Sequence, residues 1–133
     1  MTGTDVARVK PDGTINQYDV SNVTSPVGIT SDPTSGDLWM TMNGALAHFA
    51  PSSAGAGSTV AGTEVPVVDI TAANDLVFGP DHNIWTAVAG NVLKLTPGGA
   101  STKIPVTNLS PKGITAAPTA TSTSVTSMAR SFR

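Results

Sequence analysis

The chain has 133 residues and a net charge of −2, with only 12% charged and 5% aromatic residues and no cysteine. One domain-sized core is expected, disulfides and cysteine-held metals are excluded, and nucleic acid held by clustered Lys and Arg is not expected. No run has the length of a membrane span and Met1–Asp5 lacks the basic and apolar regions of a signal peptide, so neither a membrane partner nor a leader is expected, and the compartment stays undetermined.

Residues 5–10 and 14–20 flank Pro11-Asp12-Gly13, which reads as strand, tight turn, strand. Strands near 28–31 and 37–42 follow, and Asn43-Gly44 is a strong hairpin signal leading into 45–50. Residues 52–62 are Ser, Ala, Gly, Thr and Val without an anchoring side chain, and a mobile loop is expected there. Residues 63–70 resume a strand, with Pro66 marking an edge position because it cannot donate to a ladder. Strands near 74–78, 83–88, 92–96 and 101–106 come next, then 113–117 and about 122–128. Helix has no support, since apolar residues keep no 3.6 period, and the chain reads as all-β.

The turns repeat. Pro26-Val-Gly-Ile-Thr, with Gly36-Asp-Leu-Trp-Met-Thr41 after it, returns as Asn74-Asp-Leu-Val-Phe-Gly-Pro-Asp-His-Asn-Ile-Trp-Thr86 and begins again at Pro111-Lys-Gly-Ile-Thr. Trp39 and Trp85 lie 46 residues apart, and Pro11, Pro51 and Pro97 are spaced by 40 and 46. Four short strands per period of about 40–50 residues is the pattern of a β-propeller blade. A two-sheet sandwich also has many short strands, but it would not repeat the same turn chemistry at the same phase.

The unit resembles the blades of the virginiamycin B lyase-like and NHL-repeat propellers. The residues carrying the resemblance are Pro26, Gly28, Ile29, Leu38, Trp39 and Thr41; Leu76, Gly79, Pro80, Asp81, Ile84, Trp85 and Thr86; and Pro111, Gly113 and Ile114, with Pro11-Asp12-Gly13 and Pro97-Gly98-Gly99 as later turns. It implies about three four-stranded blades over a single domain, 1–133: approximately 26–70, 73–106, and a split blade from 111–128 plus 5–20. In the lyase it implies catalytic histidines with a carboxylate-held magnesium on one face of the propeller. Glu64 is the only glutamate here and neither His48 nor His82 falls in the P-x-G-I segment, so no catalytic, cofactor-binding or metal-binding residue is assigned.

Three blades do not close a ring, for which four is the practical minimum. A homo-oligomer by strand exchange, a dimer by preference, is therefore expected to complete it; the alternative is a fragment of a longer propeller. Blade packing is assigned to Trp39, Trp85, Ile29, Leu76 and Ile114, and the oligomer interface to Val6, Val9, Ile15, Tyr18, Val125, Met128, Arg130 and Arg133. Residues 116–133 read as a flexible or swapped tail. Charge favours the same contact: residues 1–102 carry a balance of −6 and 103–133 one of +4.

Other candidates read as structure. His48 alternates with Phe49 on a strand, and His82 stands where Pro11-Asp12-Gly13 has its glycine. Asp12, Asp37 and Asp81 occupy turns, where Asp caps its own backbone, and no calcium loop spacing is present. Trp39, Trp85, Phe49, Phe78 and Tyr18 could stack on sugars, but recurrence once per blade points to packing. The sequons at Asn22 and Asn108 are what chance gives in so Thr- and Ser-rich a chain. Two functions are carried forward. One is a non-enzymatic module acting through protein-protein assembly, by analogy a bacteriophage virion surface or decoration protein. The other is a lyase-like or carbohydrate-binding propeller with an axial site built from two chains.

Overall fold

A computed structural model of the chain describes residues 4–51, 57–70, 75–117 and 123–127. Among them are thirteen strands and no α-helix. The strands are β1 (Thr4–Val9), β2 (Ile15–Ser21), β3 (Ile29–Ser31), β4 (Leu38–Met42), β5 (Ala45–Phe49), β6 (Thr59–Ala61), β7 (Thr63–Pro66), β8 (Leu76–Phe78), β9 (Ile84–Val88), β10 (Asn91–Leu95), β11 (Ser101–Pro105), β12 (Pro111–Ala116) and β13 (Thr123–Ser127). They form four sheets, ordered β1-β2-β6, β3-β4-β5-β7, β8-β9-β10-β11 and β12-β13.

The two four-stranded sheets are copies at the level of register. In the first, Leu38 pairs with Phe49 and Met40 with Ala47; in the second, Ile84 pairs with Leu95 and Thr86 with Leu93, each residue moved on by 46. Both central hairpins turn on two residues ending in a glycine of positive φ, Gly44 and Gly90. A second turn recurs three times. In Lys10–Thr14, Gly79–Asn83 and Thr96–Ala100 the first amide donates to the fifth carbonyl and the fourth amide to the first carbonyl. The fourth residue has positive φ each time: Gly13, Gly99 and, where the sequence replaces glycine, His82 at φ 57.

Alternation along the strands lets each central strand present one residue to each neighbouring sheet. The β1–β2 sheet meets the first four-stranded sheet through Val6, Tyr18, Val20, Met40, Met42, Ala47 and Phe49, with Tyr18 and Phe49 rings tilted at 6.2 Å. The opposite face of that sheet meets the second through Trp39, Leu46, Leu76, Phe78, Ile84, Leu93 and Leu95. Burying each such side chain contributes roughly 1.5–3 kcal/mol, so these two interfaces carry the fold. The second sheet is followed by β12, which packs against β8 and β9 and buries Ile114. Thr41 and Thr86 are the buried polar side chains among the described residues. Each satisfies the backbone entering an inner strand: the Thr41 hydroxyl accepts from the Gly28 amide, and the Thr86 hydroxyl donates to the Asp75 carbonyl.

The largest departure from expectation lies in 52–62. Residues 59–61 are not a loop but β6, which pairs in parallel with β2, Asp19 to Thr59 through Ser21 to Ala61. Val60 packs on the core there, and the Gly57 amide reaches Gln17 at 2.7 Å while the Gly62 amide reaches Ser21 at 3.0 Å. A side chain at Gly62 would lie 2.8 Å from the Val23 methyl, so the glycine is what permits the approach. Residues 52–56 lie outside the described residues. The strand expected over 63–70 stops at Pro66, at the sheet edge as its missing donor requires; beyond it the Val67 amide bonds Gly44, the Ile70 carbonyl accepts from the Gly44 amide, and both side chains are buried. In the tail, 123–127 forms β13 on β12; 118–122 and 128–133 lie outside the described residues.

Candidate interaction site

Coverage of the two complete sheets is unequal. Ile29 pairs with Met40 as Leu76 pairs with Thr86, and Met40 and Thr86 are equivalent, so Ile29 and Leu76 hold the same place in the repeat. Leu76 is 3% exposed, covered by the first four-stranded sheet, whereas Ile29 is 49% exposed. The sheet facing Ile29 is β1-β2-β6, whose edge strand β1 stands apart from β3 across a groove. What remains is a groove of about 700 Å³ between β1 and β3, lined by Val6, Ala7 and Arg8 on one side and by Ile29, Thr30, Ser31 and Leu38 on the other. A smaller hollow of about 260 Å³ continues it past Asp5, Val27 and Gly28. Val27 is also exposed, so Val27 and Ile29 form an apolar stretch of a rim that also carries Arg8, Thr30 and Ser31.

One edge of the β1–β2 pair is taken. β6 lies along β2, so the edge facing the groove is that of β1. Unpaired amides and carbonyls along an edge, beside an apolar groove, form a template for an added strand.

The far side of the molecule shows the reverse condition. Among the described residues only β12 and β13 follow the second sheet, and β12 packs against its inner strands β8 and β9. Trp85, equivalent to the buried Trp39, is only partly buried. Trp39 stacks on His48 with ring centroids 4.3 Å apart and takes the Phe78 edge at 6.1 Å. Trp85 instead donates its indole N–H to Asp81 at 3.1 Å, under the Lys94 ammonium, which sits 5.5 Å over the ring and 2.9 Å from the same carboxylate. Burial pushes the Asp81 carboxyl up, but Lys94, the Trp85 N–H and the Asn83 groups outweigh it and hold the carboxyl well below its ordinary range.

The remaining polar groups are dispersed. His48 lies 3.5 Å from the Asp37 carboxylate, and His82 shares a 3.4 Å contact with the Thr34 hydroxyl. Asp32 accepts from the Thr34 amide and the Ser35 hydroxyl, and Asp12 from the Thr14 amide; each is held below the usual carboxylate range chiefly by that backbone donor. Asp69 is lowered by Lys103 first and Ser101 second. Among the described residues no group of three or more His, Asp or Glu is placed to hold a metal ion. Nor do the aromatics form one wall: Tyr18 and Phe49 lie in one core, Trp39 and Phe78 in the other, and Trp85 on the surface.

Of the residues assigned to blade packing, Trp39, Leu76 and Ile114 are buried, Trp85 is only partly buried and Ile29 faces the groove. Of those assigned to an oligomer interface, Val9 and Ile15 pair across β1 and β2 and are exposed at 67% and 64%. Val6 and Tyr18 are buried within the chain, because alternation turns them onto Met40 and Phe49. Val125 takes a place on β13 opposite Ile114, and Met128, Arg130 and Arg133 lie outside the described residues. Sequence reasoning missed Arg8 and Val27 at the groove; no local signal marks them, since the groove exists through what the facing sheet lacks.

No family model and no curated protein matches the chain in sequence. Solved structures do match in fold. Virginiamycin B lyase from Staphylococcus aureus superposes with a TM-score of 0.63 at 24% identity, over 87% of this chain and 40% of the lyase. A streptogramin B lyase gives 0.65 at 18% identity over 84% and 38%, and a putative gluconolactonase 0.63 at 22% over 86% and 39%. The fold is that of a β-propeller. The chain spans about 40% of the length of these neighbours, and the four sheets described above are whole and partial blades of that architecture. Each of these neighbours is named for an enzyme activity; at such identity the likeness carries the architecture and not the reaction.

Proposed function

We propose that this propeller module works by protein-protein assembly, without catalysis of its own, through the groove between β1 and β3. The observation that supports this is the contrast between Ile29 and Leu76: equivalent residues, one exposed beside a free strand edge, the other covered. A propeller blade is stable because its neighbour covers it, so the open innermost strand β3 of the first sheet is a surface made to be covered. Coating or decorating a larger particle, such as a virion, is a use that suits a module of this kind. Light scattering of the purified chain at micromolar concentration tests the reading. Self-association is expected as a multiple of the 13.4 kDa chain mass; a strictly monomeric species that also takes up no strand-forming peptide in the groove would overturn it.

A second reading has its own support in the neighbours, which are named as lyases and a gluconolactonase, one of them a lyase variant with quinupristin. In it the chain binds or cleaves a related ligand at an axial site assembled from two copies. Calorimetric titration with quinupristin, with and without magnesium, tests that reading: heat that saturates with the ligand supports it, and none overturns it.

A further inference from the structure

The groove has an occupant of definite shape, and resting on the assembly reading above, the registers identify it. The hairpin β12–β13 repeats β3–β4: Ile114 pairs with Val125 as Ile29 pairs with Met40, both residues moved on by 85. It therefore supplies the two inner strands of a blade. The hairpin β1–β2 repeats β10–β11: Val9 pairs with Ile15 as Leu95 pairs with Ser101, across the same five-residue turn with the same two backbone hydrogen bonds. It supplies the two outer strands. Within the chain these hairpins belong to separate sheets.

We infer that β12–β13 of a second copy of this chain fills the groove, β13 pairing antiparallel with β1 to make one four-stranded blade ordered β12-β13-β1-β2. The register follows from the intact blades, where β4 pairs with β5. Transferring Leu38↔Phe49 and Met42↔Ala45 to the equivalent positions sets Thr123 opposite Val9 and Ser127 opposite Asp5, so the described lengths of β13 and β1 match. In this register Ser124 stands opposite Arg8, the place that Trp39 and His48 hold in the first complete sheet.

Reciprocity supports the same occupant. β12 already lies across β8 and β9, so the exchanged blade would bring β1 and β2 of the second copy over the outer strands of the second sheet, where β11 is exposed and Ile104 lies open, while β12 covers Ile29. One blade closes both deficits. The described strands of each copy make two whole blades and two halves, so two copies joined in this way make six blades, within the range of about four to eight.

The cysteine-free chain allows a direct test. Arg8→Cys and Ser124→Cys are made in separate chains, mixed and oxidised; facing Cβ atoms about 4.5–5.5 Å apart in a strand pair are within adjustment of disulfide geometry. A covalent heterodimer is expected, at least tenfold more abundant than from Lys10→Cys with Ser124→Cys, which is two residues out of register. The double variant Arg8→Cys/Ser124→Cys should stop at a covalent dimer, and a ladder of higher multiples would overturn the two-copy ring. Absence of the heterodimer while native mass still exceeds one chain would overturn this occupant and leave assembly standing; a monomer that binds nothing would remove both. Independently, Ile29→Glu, at a half-exposed position that the fold does not need, should weaken self-association at least tenfold with the circular dichroism spectrum unchanged, and unaltered self-association would count against the inference.

Discussion

The two complete blades share one register and differ in what lies against them. In the first, Trp39 is sealed between His48 and Phe78, and Ile29 is open; in the second, Leu76 is sealed and Trp85 is open, held at the surface by Asp81 and Lys94. Residue type does not decide which is buried. The number of strands in the facing sheet does, and a tryptophan or isoleucine at a fixed place in the repeat is core or surface accordingly.

The greatest loss should therefore follow Trp39→Ala, about 3–5 kcal/mol in denaturant unfolding, against about 1 kcal/mol for Trp85→Ala. Equal losses at the two tryptophans would mean that coverage is not what separates them. Leu76→Ala should cost about 2–5 kcal/mol, while Ile29→Ala in dilute solution should cost under about 1 kcal/mol and act on self-association instead. The turns give a smaller contrast. Gly13 and Gly99 both have positive φ, but a side chain at 99 would meet Val65 at 2.9 Å and the Pro66 carbonyl at 3.0 Å, and one at 13 meets nothing within 4 Å. Gly13→Ala should cost about 1 kcal/mol and Gly99→Ala roughly 1–3 kcal/mol more, readable as separate unfolding midpoints.

The smallest effect concerns Asp81. Its carboxyl lies below its ordinary value of 3.8 in the folded chain, so the unfolded chain takes up the proton first as pH falls. The stability it contributes is complete above that value and is lost progressively below it. Since the pair with Lys94 is partly exposed, the amount is under about 1 kcal/mol. Asp81→Asn should flatten the fall in unfolding midpoint between about pH 4 and 2; an unchanged slope would assign it to Asp12, Asp32 and Asp69, which are lowered in the same direction.

Strand order, the turns and the repeat were all legible, because Pro, Gly and Asp mark each turn and the two tryptophans mark the phase. Two things were not. β6 is three residues, Thr59 to Ala61, in a stretch of glycine and serine, and its partner β2 lies some forty residues away, so nothing local announces it. The exposures of Ile29 and Trp85 are set by neighbouring sheets, which a reading of each unit alone treats as identical. The same limit applies to the site: the complementary hairpins could be read from the repeat, but the groove they leave required the packed arrangement.

The strand β6 also has a consequence for how copies could meet. The connector between β5 and β7 is longer than that between β10 and β11, and the added length lies along the outer margin of β2. Over Asp19–Ser21 that margin is already paired within the chain, so the edge the N-terminal hairpin offers along its full length is that of β1.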